Sequence, residues 1–380
     1  MEDVVKLVVN GVEFTNFISF ELKNTMISIT TDFSFTYAPK IKYVNGKPVL
    51  VDVIKEQDEV KIFINNIQYL IGYIVSIDWN EDAGNDLITV QGMDKASYCL
   101  LRHYPSPKNY KKMDYAELIR TVVAENGFQD IVIVQKLIPE LLTIEGQEDI
   151  QIDDGETLFN FLDRYALKAQ VLLNTTGTGE LVIYREGVLG SVLGKFPNKA
   201  KAGIALINGG RAGNILSSNF KTSVLERFQV IEIFSQSNNT SHSVKNTNPI
   251  GSAVDEQIKI PNRFRVGKNI PTQSTTLADI AKWNVNVRRA KGRMYNCTVQ
   301  GIGFSPQNRD FWKINTYVEV LDEKKGVNGE FLIESVTFSQ SPQNGTITQL
   351  QLVNKGSYTL DIKQAIQKLQ RNNFGNQFNS

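Results

Sequence analysis

The chain has 380 residues, enough to bury more than one hydrophobic core, and typical domain sizes put it at roughly two to four domains. Its 41 lysines and arginines balance 40 aspartates and glutamates, so no global field draws in nucleic acid or an anionic membrane. Cys99 and Cys297 are too few for a disulfide framework and read as small core residues in apolar, strand-like stretches. The opening Met-Glu-Asp-Val-Val-Lys lacks the order of a signal peptide, and no apolar run reaches about 18 residues, so synthesis in a cytoplasm is expected.

Residues 1 to about 100 read as short strands rich in Val, Ile, Phe and Tyr: Val4 to Val9, Glu13 to Leu22, Phe33 to Tyr37, Val60 to Ile64, Tyr69 to Ile77 and Leu87 to Gln91. Turn signals at Asn10-Gly11, Asn45-Gly46, Asn65-Asn66 and Asp82-Ala83-Gly84-Asn85 separate them, the pattern of a sandwich or small barrel. After Pro105-Ser106-Pro107 the period changes. Leu118, Ile119, Val122 and Val123 predict a helix over Tyr115 to Glu125, and Leu158, Phe161, Leu162 and Tyr165 predict another over Thr157 to Leu167. A strand at Ile131 to Val134 precedes the second helix, and a hairpin of Val171 to Asn174 with Glu180 to Tyr184 follows it. Lys195 to Gly213 reads as a linker. Strands return at Ile215 to Phe220 and Phe228 to Ser235, then a polar loop from Ser237 to Asn248, then a helix over Leu277 to Arg289. The last strands are Asn296 to Gly301, Tyr317 to Leu321, Glu330 to Ser339 and Thr346 to Val353. Ile362, Ala365, Ile366 and Leu369 then mark one face of a C-terminal helix.

The two β-rich ends resemble each other. Val60-Lys-Ile62, Tyr69-Leu-Ile71, Leu87-Ile-Thr-Val-Gln91 and Ser97-Tyr98 recur in order as Val318-Glu-Val320, Phe331-Leu-Ile333, Ile347-Thr-Gln-Leu-Gln351 and Ser357-Tyr358. The expected fold is therefore mainly β with α+β insertions. A first barrel spans 1–104 and an α+β domain 105–205; a discontinuous second barrel spans 206–238 and 293–358, interrupted by an insertion at 239–292, and a helix and tail occupy 359–380.

A run of weak motifs in fixed order resembles the baseplate hub proteins of Mu-like contractile-tailed phages, the late-control-protein-like hub family. It comprises Gly155-Glu-Thr-Leu-Phe159 with Arg164, Gly179-Glu-Leu-Val182, Gly213-Asn-Ile-Leu216, Glu226-Arg-Phe228, Arg263-Phe-Arg265, Trp283 with Arg288, Val299-Gln-Gly301, Phe311-Trp-Lys-Ile-Asn315 and Phe331-Leu-Ile-Glu-Ser-Val336. The resemblance implies two tail-tube-like barrels per chain and a homotrimeric ring that adapts a sixfold tail tube to a threefold central spike, with DNA passing through unbound. Spike, tube or tube-initiator, wedge and tape-measure proteins are the implied partners, and the virion tail baseplate is the implied location. No catalytic, cofactor-binding or metal-binding residue is expected.

Other chemistry has weaker support. Asp154-Gly155-Glu156-Thr157-Leu158 resembles the start of a LysM module, which makes a cell-wall-binding or wall-degrading tail component the alternative function; helix capping explains the same residues without a ligand. His103 and His242 are the only histidines and neither lies in a triad pattern; no Gly-x-Ser-x-Gly elbow occurs. Gly209-Gly-Arg-Ala-Gly213 lacks the Lys-Ser/Thr of a phosphate loop. The carboxylate pairs Glu81-Asp82 and Asp322-Glu323 read as solvated turn acids. Lys282, Arg288, Arg289, Lys291 and Arg293 form a basic cluster at the end of a helix, which suits the helix dipole and offers a possible contact for nucleic acid.

Overall fold

A computed structural model describes residues 3–14, 17–45, 47–50, 54–82, 85–111, 113–135, 150–168, 171–186, 204–210, 213–234, 250–266, 276–305 and 310–358. The expected C-terminal helix and the Ser237 to Asn248 loop lie outside these residues.

The β-rich ends merge into one thirteen-stranded sheet. Its N-terminal half contains Val5–Val9, Val12–Phe14, Phe17–Thr25, Thr31–Tyr37, Glu59–Ile64, Ile67–Asp82 and Asn85–Asp94. Its C-terminal half contains Leu206–Ile207, Ile215–Thr222, Arg293–Gln300, Tyr317–Asp322, Val327–Ser341 and Gly345–Asn354. Alternation sets the faces: Phe33, Phe35 and Tyr37 are buried while Asp32, Ser34 and Thr36 point the other way. The Asn10-Gly11 signal is a true tight turn, with φ of 48° and 80° at its two residues, the left-handed pair that a two-residue hairpin requires.

The expected pair of tube-like barrels does not appear as closed barrels. Among the described residues the strands make a single open sheet, because the two halves join edge to edge through Val327–Ser341 and Phe17–Thr25. The sheet curls: Phe14, near one end, packs on Tyr37 with ring centroids 4.8 Å apart, and Tyr69 of the first half meets Phe338 of the second at 5.4 Å. One apolar core therefore runs through both halves, from Leu7 and Phe35 to Tyr295 and Leu352.

Four further sequence expectations change. The Glu13 to Leu22 strand is two strands, Val12–Phe14 and Phe17–Thr25. Cys99 sits on a helix, α1 (Lys95–Arg102), whereas Cys297 is buried in the strand Arg293–Gln300. Asp94 starts α1 by accepting from the Ser97 amide at 2.9 Å, and Ala96 and Leu100 join the core of the α+β unit, so that unit draws on residues before the expected boundary at 104. Val230–Phe234, expected in the second barrel, pairs instead with Ile250–Val254 and Arg263–Val266, whose apolar faces match it. The inserted unit thus begins before residue 239.

The α+β unit follows its periodicity closely. Helix α2 (Tyr115–Glu125) and helix α3 (Leu158–Lys168) bury the expected apolar stripes, and Leu172–Thr175 pairs with Leu181–Tyr184 as the predicted hairpin. Helix α4 (Leu277–Lys291) covers the inserted three-stranded sheet, packing Leu277, Ala281 and Val285 onto Ile231 and Ile233.

Candidate assembly interface

The two halves of the sheet share one strand order. From the free edge inward, Ile215–Thr222, Arg293–Gln300, Gly345–Asn354, Val327–Ser341 and Tyr317–Asp322 correspond to Phe17–Thr25, Thr31–Tyr37, Asn85–Asp94, Ile67–Asp82 and Glu59–Ile64. The irregularities correspond too. The long strands each shift register once against their hairpin partner, between Ile333 and Ser335 in one half and between Ile74 and Ser76 in the other. The edge strands shift between Ile215 and Ser217, and between Phe17 and Ser19. These bulges correct the sequence alignment of the repeat. Gln91 and Gln351 are equivalent, opposite Ser76 and Ser335, but Ile333 matches Ile74 rather than Ile71. Apolar alternation recurs along a strand and does not mark an inserted residue, so the sequence match slipped there.

Each half contributes four adjacent strands to an arc of eight. The face of the arc turned away from the core is polar. It holds a hollow of about 510 Å³ lined by Lys23, Asn219, Asn296, Thr337, Gln349 and Gln351, and a second of about 360 Å³ lined by Glu21, Lys23, Asp32, Ser34, Ser76 and Gln91. The two lie over equivalent positions of the two halves and share Lys23. Neutral amides and hydroxyls dominate, some bonded to each other, as in Thr36 Oγ1 with Thr89 Oγ1 at 3.1 Å and Ser76 Oγ donating to Gln91 Oε1 at 3.3 Å. Partial burial raises the Asp32 carboxyl pKa, against the lowering effects of the Thr30 hydroxyl and the Lys23 charge.

Similarity to known proteins follows this architecture. No protein-family model matches the sequence, and no curated protein matches it. Among solved structures, a prophage 43 kDa tail protein from Shewanella oneidensis superposes with a TM-score of 0.74 at 22% identity, covering 94% of this chain and 99% of that one. A tail protein from Neisseria meningitidis gives 0.76 at 18% identity, covering 95% and 99%. The fold is that of prophage tail proteins. A type VI secretion component of Escherichia coli, described as similar to T4 bacteriophage tail proteins, shares the tail-protein fold with a TM-score of 0.54 at 10% identity, covering 93% of this chain and 78% of its own.

Within the tail-protein fold the motifs singled out in the sequence have structural partners. In the LysM-like segment, Thr157 Oγ1 caps α3 by accepting from the Asn160 amide at 3.2 Å. Glu156 takes a two-pronged contact from Arg164, at 3.0 and 2.6 Å, and a hairpin follows the helix. In the basic cluster, Arg289 pairs with buried Asp255 at 2.8 Å, Arg288 stacks over Phe264 with its guanidinium carbon 4.1 Å from the ring centre, and Arg293 lies over Phe220. Gly209 and Gly210 have φ of 95° and 71° and lead into a strand, giving no helix end for a phosphate. His103 bonds Asn126 at 2.8 Å, and His242 lies outside the described residues.

Asp322 departs from the solvated-turn reading. It is fully buried and accepts from Asn208 Nδ2 at 2.7 Å, Tyr295 Oη at 2.8 Å and Lys325 Nζ at 3.2 Å. Burial acts to raise its pKa, but these donors outweigh it and hold the carboxyl at about 2. Glu81 lies in the other half of the sheet, exposed near the end of Ile67–Asp82, so the two acidic pairs share no cleft. Among the described residues no group of three or more His, Cys, Asp or Glu is placed to hold a metal ion.

Sequence reasoning missed the sheet's free edges. The predicted strand stopped at Ile77, yet Ile67–Asp82 continues with Asp78, Trp79, Asn80 and Glu81 exposed. The alternation of Ile77 and Trp79 was the available signal. At the opposite end of the arc, among the described residues, Ile215–Thr222 pairs on one side only, with Arg293–Gln300.

Proposed function

We propose that the chain is the structural hub of a contractile phage tail or a related injection machine. Three copies form a ring that joins a sixfold tube to a threefold central spike and leaves a channel for DNA. The observation that carries this reading is the internal repeat: one chain presents two equivalent four-stranded units already joined edge to edge. Three such chains supply six equivalent units, the number a hexameric tube needs, and a closed ring leaves no terminal edge exposed. The polar face would line the channel, where mostly neutral side chains, with Lys23 set among the acids Glu21 and Asp32, offer few phosphate contacts to slow a passing duplex.

In this reading the strands within 3–94, and those within 206–222 and 293–354, act as tube-like units, and the α+β and inserted units project from the ring toward neighbouring baseplate proteins. Similarity to prophage tail proteins over nearly the whole chain supports a role in the virion tail, with spike and tube proteins as partners and no catalysis required. Light scattering on the purified protein tests the ring. A mass of three chains, with a central hole in negatively stained particles, is expected. A monomer at the highest soluble concentration overturns the proposal.

A further inference from the structure

We infer, resting on that ring reading, that neighbouring copies are joined by one defined antiparallel strand pairing: residues 76–81 of one copy lie against 218–223 of the next, with Asp78 opposite Lys221 and Trp79 opposite Phe220. The template is inside the chain. At the internal junction Thr337 faces Lys23, Phe338 faces Leu22 and Ser339 faces Glu21. The matching bulges and pairings make Thr337, Phe338 and Ser339 equivalent to Asp78, Trp79 and Asn80, and make Glu21, Leu22 and Lys23 equivalent to Asn219, Phe220 and Lys221. Transferring the junction to the two free edges therefore fixes the register with no free choice.

The residues at those edges fit the transfer. Phe338 and Leu22 are fully buried at the internal junction, whereas Trp79 is 47% exposed and Phe220 is half-buried in the single chain, so pairing would complete the same apolar contact. On the polar face the transferred register sets a carboxylate against an ammonium, Asp78 against Lys221, and both are exposed in the single chain. Among the described residues, no strand pairs with 76–82 on the side away from Asn85–Asp94. A one-residue slip would set Trp79 opposite a residue of the polar face and oppose Asp78 to an uncharged neighbour of Lys221.

Paired cysteines test the register. Directly opposed residues of an antiparallel pair have Cα atoms about 4.5–5.5 Å apart, within disulfide range, and residues two positions away lie beyond it. In a Cys99→Ser background, Asn80→Cys with Asn219→Cys should give a covalent trimer on mild oxidation. Neither single variant should, nor should Asn80→Cys with Lys221→Cys. Asp78→Lys or Lys221→Asp should raise the concentration at which trimers dissociate by at least about tenfold, since three opposed pairs are lost per ring, and the double exchange should restore it. A trimer that cross-links only through the offset pair, or that ignores the charge reversals, overturns the register while leaving the ring intact. A wild-type monomer overturns the ring and the register together.

Discussion

Asp94 and Asp322 are both buried carboxylates, and their surroundings move them in opposite directions. Asp94 accepts from the Thr31 and Ser97 amides and the Thr175 hydroxyl, tying the sheet to α1 and the Leu172–Tyr184 hairpin, yet burial pushes its pKa up to about 6. The folded chain therefore binds this proton more readily than the unfolded chain. Its contribution to stability is greatest below about pH 4 and is lost as pH rises through about 6. Asp322, held at about 2, has the opposite sign: its contribution is present above about pH 4 and is lost as pH falls through 2. Asp94→Asn should flatten the pH dependence of the denaturation midpoint between pH 4 and 6 while leaving the acid limb in place. Unfolding titrations of both proteins across that range check this, and an unchanged slope between pH 4 and 6 would show that Asp94 does not control it. Glu186 makes a third buried anchor, accepting from the Gly356 and Tyr358 amides at 2.6 Å each and from Tyr317 Oη at 2.9 Å. Glu186→Ala strands these donors and should cost about 2–4 kcal/mol by chemical denaturation.

At the scale of elements, the inserted unit shows how little tolerance a helix-on-sheet contact leaves. Gly251 lets α4 lie directly on the strand Ile250–Val254, where a Cβ would come within 2.1 Å of the Leu277 carbonyl carbon. Asp255 pairs with two arginines, Arg227 and Arg289, each at 2.8 Å, and Arg227 is nearly as buried as the acid. Asp255→Ala leaves Arg227 uncompensated and should cost about 3–5 kcal/mol. Because this unit has its own small core, hydrogen exchange should rise in 230–234 and 250–266 and stay unchanged in Arg293–Gln300 and Gly345–Asn354. Uniform loss of protection would mean that the unit and the large sheet unfold as one. Helices α2, α3 and α4 were legible in the sequence from apolar residues spaced near 3.6, and in the structure the short polar side chains Asp114 and Thr276 cap α2 and α4. Partnership was less legible. Phe228 to Ser235 carries an ordinary strand pattern, and nothing in it says which sheet it joins. Helix α1 escaped notice because Lys95 to Arg102 directly continues a strand and only Asp94 marks the change.

For the whole molecule, the repeat was visible as an order of strands but not as a closed shape, since strand period alone does not say whether a sheet meets itself or its duplicate. The junction between Val327–Ser341 and Phe17–Thr25 joins residues more than 300 positions apart, and no local pattern encodes it. The same limit hid the polar face. Ser, Thr, Asn and Gln spread over eight strands become a surface only once the register is known. If that face lines a channel, its mostly neutral lining is a functional property and can be changed without touching the core. Thr298 and Gln349 face each other across two adjacent strands and line the larger hollow. Thr298→Lys with Gln349→Lys would place six added cations in a trimeric ring. Counterion release then predicts that DNA affinity gains a steep salt dependence, with a slope of about −0.9 for each phosphate neutralised. The wild-type ring should show no measurable affinity for duplex DNA at physiological salt, and the lysine ring should bind it there and release it as salt rises. In assembled particles the same change should slow DNA release without altering ring mass or thermal stability. Binding by the wild-type ring as tight as by the lysine ring would place the positive contacts elsewhere and would remove this face from the path of the DNA.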